Sequence, residues 1–227
     1  MNGIHDCGGT DGYGPVVPDT DEPLFAGDWE KAAFAMFPMV FAGGYFNLDE
    51  FRHSIEKMDP VHYLATPYYA HWVHVVEDYL TRDEDFARAL EERTAAYLAD
   101  PGKALPQTVN QDLVPLVETI SSQGGSTRRG SDALARFAVG DKVHVTADVP
   151  FTHTRKAGYV RGRTGEIMLA HGTFVYPDTN ATTRDEAPTH VYTVRFTAAE
   201  LYGEGIGDPL AVMNIDLWEP YLEPAAT

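Results

Sequence analysis

The sequence contains one cysteine, Cys7, so it can form no internal disulfide and no thiolate cage for a structural or redox metal. Basic residues are scarce: 17 Lys and Arg stand against 34 Asp and Glu, a formal net charge of -17 that repels phosphate backbones and anionic membrane surfaces. Nucleic acid and membrane are therefore not expected partners. No uninterrupted apolar run approaches the roughly 18 residues needed to span a bilayer. His5, Asp6 and a run of glycines stand where a signal peptide would need an apolar stretch, so a cytoplasmic location is expected. Neither GxxxxGKS/T nor GxGxxG occurs, which excludes the common phosphate cradles. The nine histidines are scattered, and the closest pair, His71 and His74, lacks both the HExxH spacing and a third ligand nearby. No metal ligand set and no complete catalytic constellation is expected on this chain alone.

What remains is ample for folding: 44% hydrophobic and 11% aromatic residues over 227 positions can form one good core or two small ones. Residues 1–25 are crowded with Gly, Pro and Asp and read as an extended arm that needs another surface to lie on. Helical spacing begins at Asp28 with Trp29, Ala32, Ala33, Met36 and Phe37. A second helix is announced by the Asn47/Glu50 capping box and the stripe Leu48, Phe51, Ile55 and Met58, with Pro60 closing the segment. A third is expected to open at Thr66-Pro67 with Tyr68 at its very start, and a fourth to run from about Thr81 to Leu98.

Residues 101–136 are rich in Pro, Gly, Ser and Gln and read as a linker. Beyond Phe137 the apolar period changes to two, through Val139, Val143 and Val145, then Tyr159 and Val160, Glu166 to Leu169, Val191 to Phe196, and Val212 to Leu217. Short strands broken by Gly140, Gly162, Gly165 and Gly172 suggest a small, strongly bent barrel. The expected fold class is α+β: an extended N-terminal arm and helical domain over 1–100, the linker, and an SH3-like β-barrel over 137–227. The rhythm of VGDKVHV and VRGRTGEI also fits KOW-type SH3-like modules. Arg155, Lys156, Arg161 and Arg163 could then meet phosphate, but the acidic balance and the helical half oppose a nucleic-acid-binding module.

A set of ordered segments carries a resemblance. MNGIHDCGGTDGYGPV, DWEKA (28–32), FNLDEFRHSIEKMDPVHYL (46–64), TPYYAHW (66–72), FAVGDKVHV, HTR, YVRGRTGEI, FVYPDTNA (174–181) and IDLWEPYLEP (215–224) resemble nitrile hydratase β subunits across almost the whole chain. The resemblance implies hydration of nitriles to amides at a trivalent metal held by an obligate α subunit, and an α2β2 heterotetramer. Trp72 and the opening segment are more similar to cobalt-type than to iron-type members. It also implies that Arg52, in DEFRHS, and Arg155, in HTR, donate to oxidised cysteine ligands of the partner, with Tyr68 a third catalytic candidate.

Arginine suits such a task because its planar fork keeps its proton and presents several donors together. Phe37, Leu48, Phe51, Tyr69 and Trp72 are expected to line a substrate pocket, and Glu56, His71 and His153 to hold those groups in place. For Arg52 the ordinary alternative is a surface pair with Glu56, and for Arg155 a solvated loop charge. One departure from the family pattern, Ala157-Gly158 where a proline-containing loop is usual, is expected to loosen the loop behind Arg155.

Overall fold

The computed structural model describes residues 3–18, 21, 23–103 and 109–226. These form two compact units, one spanning Asp19–Gly125 and the other joining Met1–Pro18 to Ser126–Thr227. Residues 3–18 of the arm thus group with the C-terminal half rather than with the helices they precede in sequence.

The first unit is helical: α1 Asp28–Ala42, α2 Leu48–Glu56, α3 Pro60–Ala65, α4 Tyr68–Leu80, α5 Glu84–Ala99 and α6 Val114–Gln123. The capping box forms as read, because the Asn47 Oδ1 accepts from the Asp49 and Glu50 N–H groups while the Glu50 carboxylate accepts from the Asn47 N–H. Pro60 follows the end of α2 and also opens the short α3, whose first N–H groups are taken by the Asp59 side chain. Thr66 does not cap α4; its hydroxyl donates back to the His62 carbonyl and so finishes α3. The cap of α5 is Asp83, two residues past the position read from sequence. α1 and α2 pack on α4 around Val40, Phe46, Phe51, Val75 and Val76. The segment read as a linker contains α6, which packs on α1.

The second unit is a five-stranded antiparallel sheet in the order β4-β3-β2-β1-β5, with β1 Lys142–Val145, β2 Thr164–Phe174, β3 Thr189–Thr197, β4 Val212–Trp218 and β5 Leu222–Pro224. Two register shifts in β2, between Ile167 and Leu169 and between Ala170 and Gly172, bend the strand against β3. Gly165 is required where β2 meets β3: a Cβ there would lie 2.6 Å from a Val194 methyl and 2.7 Å from the Arg195 carbonyl oxygen. Val143, Val145, Ile167, Tyr192, Val194, Phe196, Leu217 and Leu222 form the buried core of the sheet.

Tyr159 and Val160, expected as strand, instead belong to a 3-10 turn at Gly158–Val160. Two short helices, α7 Pro177–Thr183 and α8 Ala198–Tyr202, flank β3. No helix among the described residues is long and apolar enough to cross a membrane.

Candidate functional site

In the helical unit, α2 carries Arg52 and α4 begins with Tyr68. Arg52 forms an ion pair with Asp49, one turn back on α2, at 3.4 Å, and its side chain stays 40% exposed. Glu56, the alternative surface partner, lies 3.4 Å from the Nδ1 of His53. The ion pair with the nearly buried Asp49 carboxylate orients a guanidinium that stays partly exposed.

Tyr68 is exposed at the first residue of α4, where the fixed φ of Pro67 sets the helix start. With Tyr69 it lines a cleft of about 630 Å3 completed by Pro23, Leu24, Ala26, Glu30 and Pro67. Phe37, Phe51 and Trp72 form one aromatic cluster, with ring centroids 4.8 Å apart for Phe37 and Phe51 and 5.1 Å for Phe37 and Trp72. Tyr68 and Tyr69 join its edge through Trp72 at 6.0 and 5.5 Å. Leu48 is half-buried on the first turn of α2. His71 stacks on the Tyr63 ring at 4.7 Å, with its Nε2 2.9 Å from the Tyr63 carbonyl oxygen.

In the sheet unit, Arg155 sits in the loop between β1 and the 3-10 turn, and the residues beside it explain its pose. His153 is fully buried and Lys156 is 2% exposed, whereas Arg155 itself points outward. The Lys156 ammonium donates to Thr146 Oγ1 and Asp148 Oδ1, each at 2.6 Å, so a buried cation pins the loop to the end of β1. That hydrogen bond from Lys156, seconded by one from Thr146, holds the Asp148 carboxyl below its ordinary range.

On the other side of Arg155, its main-chain N–H donates to the Tyr221 hydroxyl at 3.2 Å, and that hydroxyl donates its own proton to Asp178 on α7. Burial raises the Asp178 carboxyl above its usual value, opposed by hydrogen bonds from Tyr221 and Thr154 and by the nearby charge of His153. The Tyr221 phenol is pushed far up, first by burial and then by the Asp178 carboxylate beside it. Among the described residues no acceptor holds the Arg155 guanidinium, so a fixed main chain presents a free cationic fork.

The loop at Ala157-Gly158, expected to be loosened, is tied by the Asp6 carboxylate, which accepts the Gly158 N–H. In the sequence Lys156 is only a local basic charge. Tyr221 and Asp178 lay inside EPY and FVYPD without assigned roles, and no sequence spacing relates them to Arg155.

Two family profiles match this chain: the nitrile hydratase β subunit N-terminal domain over residues 1–114 and the C-terminal domain over residues 126–224. The chain belongs to the nitrile hydratase β-subunit family. It is 47% identical over 224 residues to a nitrile hydratase subunit beta of a Rhodococcus species, covering 98% of this chain and 95% of that one. The low-molecular weight cobalt-containing nitrile hydratase subunit beta of Rhodococcus rhodochrous is 46% identical, covering 99% of this chain and 100% of that one. The cobalt-containing nitrile hydratase subunit beta of Pseudonocardia thermophila is 44% identical, covering 98% and 96%. Among nitrile hydratase β subunits, then, this chain aligns end to end with members whose names include cobalt.

Proposed function

We propose that this chain is the β half of a nitrile hydratase that hydrates R-CN to R-CONH2 at a trivalent cobalt centre held by an α subunit, its obligate partner. The observation that carries the reading is Arg155: an outward guanidinium on a main chain fastened by buried side chains to either side, within a chain of this family. Cobalt rather than iron is supported by the relatives named for cobalt. The lone Cys7, exposed in the arm, leaves a thiolate cage to the partner. Bound there by cysteine thiolates, two of them oxidised to sulfenic and sulfinic acids, the metal supplies Lewis acidity.

The donor set of this chain fits such a centre. Oxidised cysteine oxygens are anionic acceptors, and Arg52 and Arg155 offer planar forks that keep their protons and hold such oxygens in a fixed direction. Tyr68 offers a phenol to the nitrile nitrogen or to a polar group of the partner. Phe37, Leu48, Phe51, Tyr69 and Trp72 supply the apolar wall of the substrate pocket. Glu56, His71 and His153 hold these groups in place. An α2β2 assembly, a cytoplasmic location and closure of the bent sheet into an SH3-like barrel belong to the same reading.

Replacing either arginine by lysine keeps charge and gives up the fork. In the assembled enzyme, kcat should fall by about 30- to 900-fold, equivalent to about 2 to 4 kcal/mol for a lost preorganised donor, with KM little changed. Metal content and cysteine oxidation are measured alongside. Losses within about twofold for both variants would overturn the assignment.

A further inference from the structure

The N-terminal arm reaches the loop that carries Arg155 through one side chain. The Asp6 carboxylate, 16% exposed, accepts the Gly158 N–H at 3.1 Å on Oδ1 and 2.9 Å on Oδ2, and meets the Arg161 guanidinium at 3.4 Å. Arg161, 8% exposed, in turn donates through Nε at 3.2 Å and Nη2 at 2.8 Å to the carbonyl oxygen of Lys156, the residue that follows Arg155. One carboxylate and one guanidinium therefore close a ring around the turn from 156 to 161. The fit is tight: a Cβ at Gly158 would stand 2.8 Å from the Asp6 Oδ2. Within this ring Asp6 is the only member that comes from outside the loop itself, 152 residues away in sequence.

We propose that Asp6 is a positioning residue for Arg155, a role that rests on the reading of Arg155 given above. The Lys156 carbonyl belongs to the peptide that leaves Lys156, so holding it through Arg161, which Asp6 meets in turn, fixes the C-terminal side of the segment whose N-terminal side is fixed by Tyr221. With both sides held, the guanidinium is delivered in one direction. Without Asp6, the Gly158 N–H and the largely buried Arg161 lose their shared acceptor, Arg161 can release Lys156, and the Arg155 stem swings. Displacements near 1 Å at a preorganised donor can lower turnover on the order of a hundredfold while leaving substrate binding almost unchanged.

The test is a double-mutant cycle in the assembled α/β enzyme with its metal. Asp6→Ala, Asp6→Asn and Gly158→Ala are each made alone and together with Arg155→Lys. Gly158→Ala displaces the carboxylate from the opposite side of the contact and should reproduce Asp6→Ala. Asp6→Asn keeps one oxygen for the Gly158 N–H and should fall between wild type and Asp6→Ala. If the heteromer does not survive Asp6→Ala, the other two variants carry the cycle.

The expected result is a fall in kcat of about tenfold or more for Asp6→Ala and Gly158→Ala, with KM within about twofold and metal content unchanged. In the Arg155→Lys background the same changes should lower kcat by less than about twofold. Wild-type kcat in all three variants, or an equal loss in both backgrounds, overturns the proposal and leaves Asp6 a purely structural residue. Wild-type activity in Arg155→Lys alone would overturn the reading of Arg155 and this proposal with it, whereas a defective Arg155→Lys beside silent Asp6 variants overturns only this one.

Discussion

Tyr221→Phe removes a single oxygen from the centre of the Arg155 anchorage. The hydroxyl is in a residue 2% exposed, so water does not readily replace it. Two of its bonds differ in strength: donation to the Asp178 carboxyl, of the charge-assisted kind worth about 1.5 to 3 kcal/mol, and acceptance from the Arg155 N–H, a neutral bond worth about 0.5 to 1.5 kcal/mol. The phenyl ring would retain the packing of the tyrosine against Tyr176 at 5.7 Å and Trp218 at 6.3 Å.

Asp178 can relieve part of its loss by binding a proton, because its carboxyl is already raised by burial and loses a donor that lowers it. The expected net loss is about 2 to 3 kcal/mol, or a fall in Tm of about 4 to 12 °C for a chain of this size. The sign of its pH dependence follows from that carboxyl. Because its folded pKa is raised, its favourable contribution is present at low pH and lost as pH rises through the folded value. The variant, which raises it further, should therefore show the smaller deficit in acid.

Thermal melts of the assembled enzyme at about pH 5 and about pH 8, with hydrogen exchange followed over residues 153–157, measure both effects. A Tm within about 1 °C of wild type, together with unchanged protection of the Arg155 amide, would refute the anchorage.

Ala157→Pro should restore at no strain what the family loop usually has: Ala157 has φ of -59°, inside the proline range, and its N–H donates no hydrogen bond among the described residues. The expected gain is about 0.4 to 1 kcal/mol, seen as a rise in Tm of roughly 1 to 4 °C, and a lowered Tm would contradict the backbone reading. Asp148→Asn tests the buried lysine from its outer end. The Asp148 carboxyl is held below its ordinary value, chiefly by Lys156, so its contribution is present above the usual carboxylate range, about pH 4, and lost as acid takes it through its lower folded value. Its side chain is 66% exposed and the effect is correspondingly modest, but the wild type should lose stability below about pH 4 more steeply than the variant; superimposable acid profiles would show that the pair contributes nothing.

Local rules carried the helical half furthest. The Asn47/Glu50 box, the start of α1 at Asp28 and the aromatic spacing on α2 and α4 are short-range features, and all three stand in the structure where they were read. Local rules fail where two local hydrogen-bonding arrangements compete. Thr66 could have capped α4, but its hydroxyl is taken by the preceding turn, and Tyr159-Val160 has strand composition yet belongs to a 3-10 turn closed by Ala157 and Gly158 carbonyls.

The apolar spacing and the single cysteine, by themselves, determined a two-part α+β chain with no thiolate cage of its own, and the family segments named Arg52 and Arg155. Only the tertiary structure decided what fastens Arg155. Asp6, Lys156, Asp178 and Tyr221 are spread over more than 200 positions, and none has a local signature of that role. Their grouping depends on the register of β1 with β5, on the placement of α7 and on the path of the arm back to the Gly158 turn. Buried polar groups must find partners wherever the chain brings them. Which partners those are is a property of chain crossing rather than of spacing along the sequence.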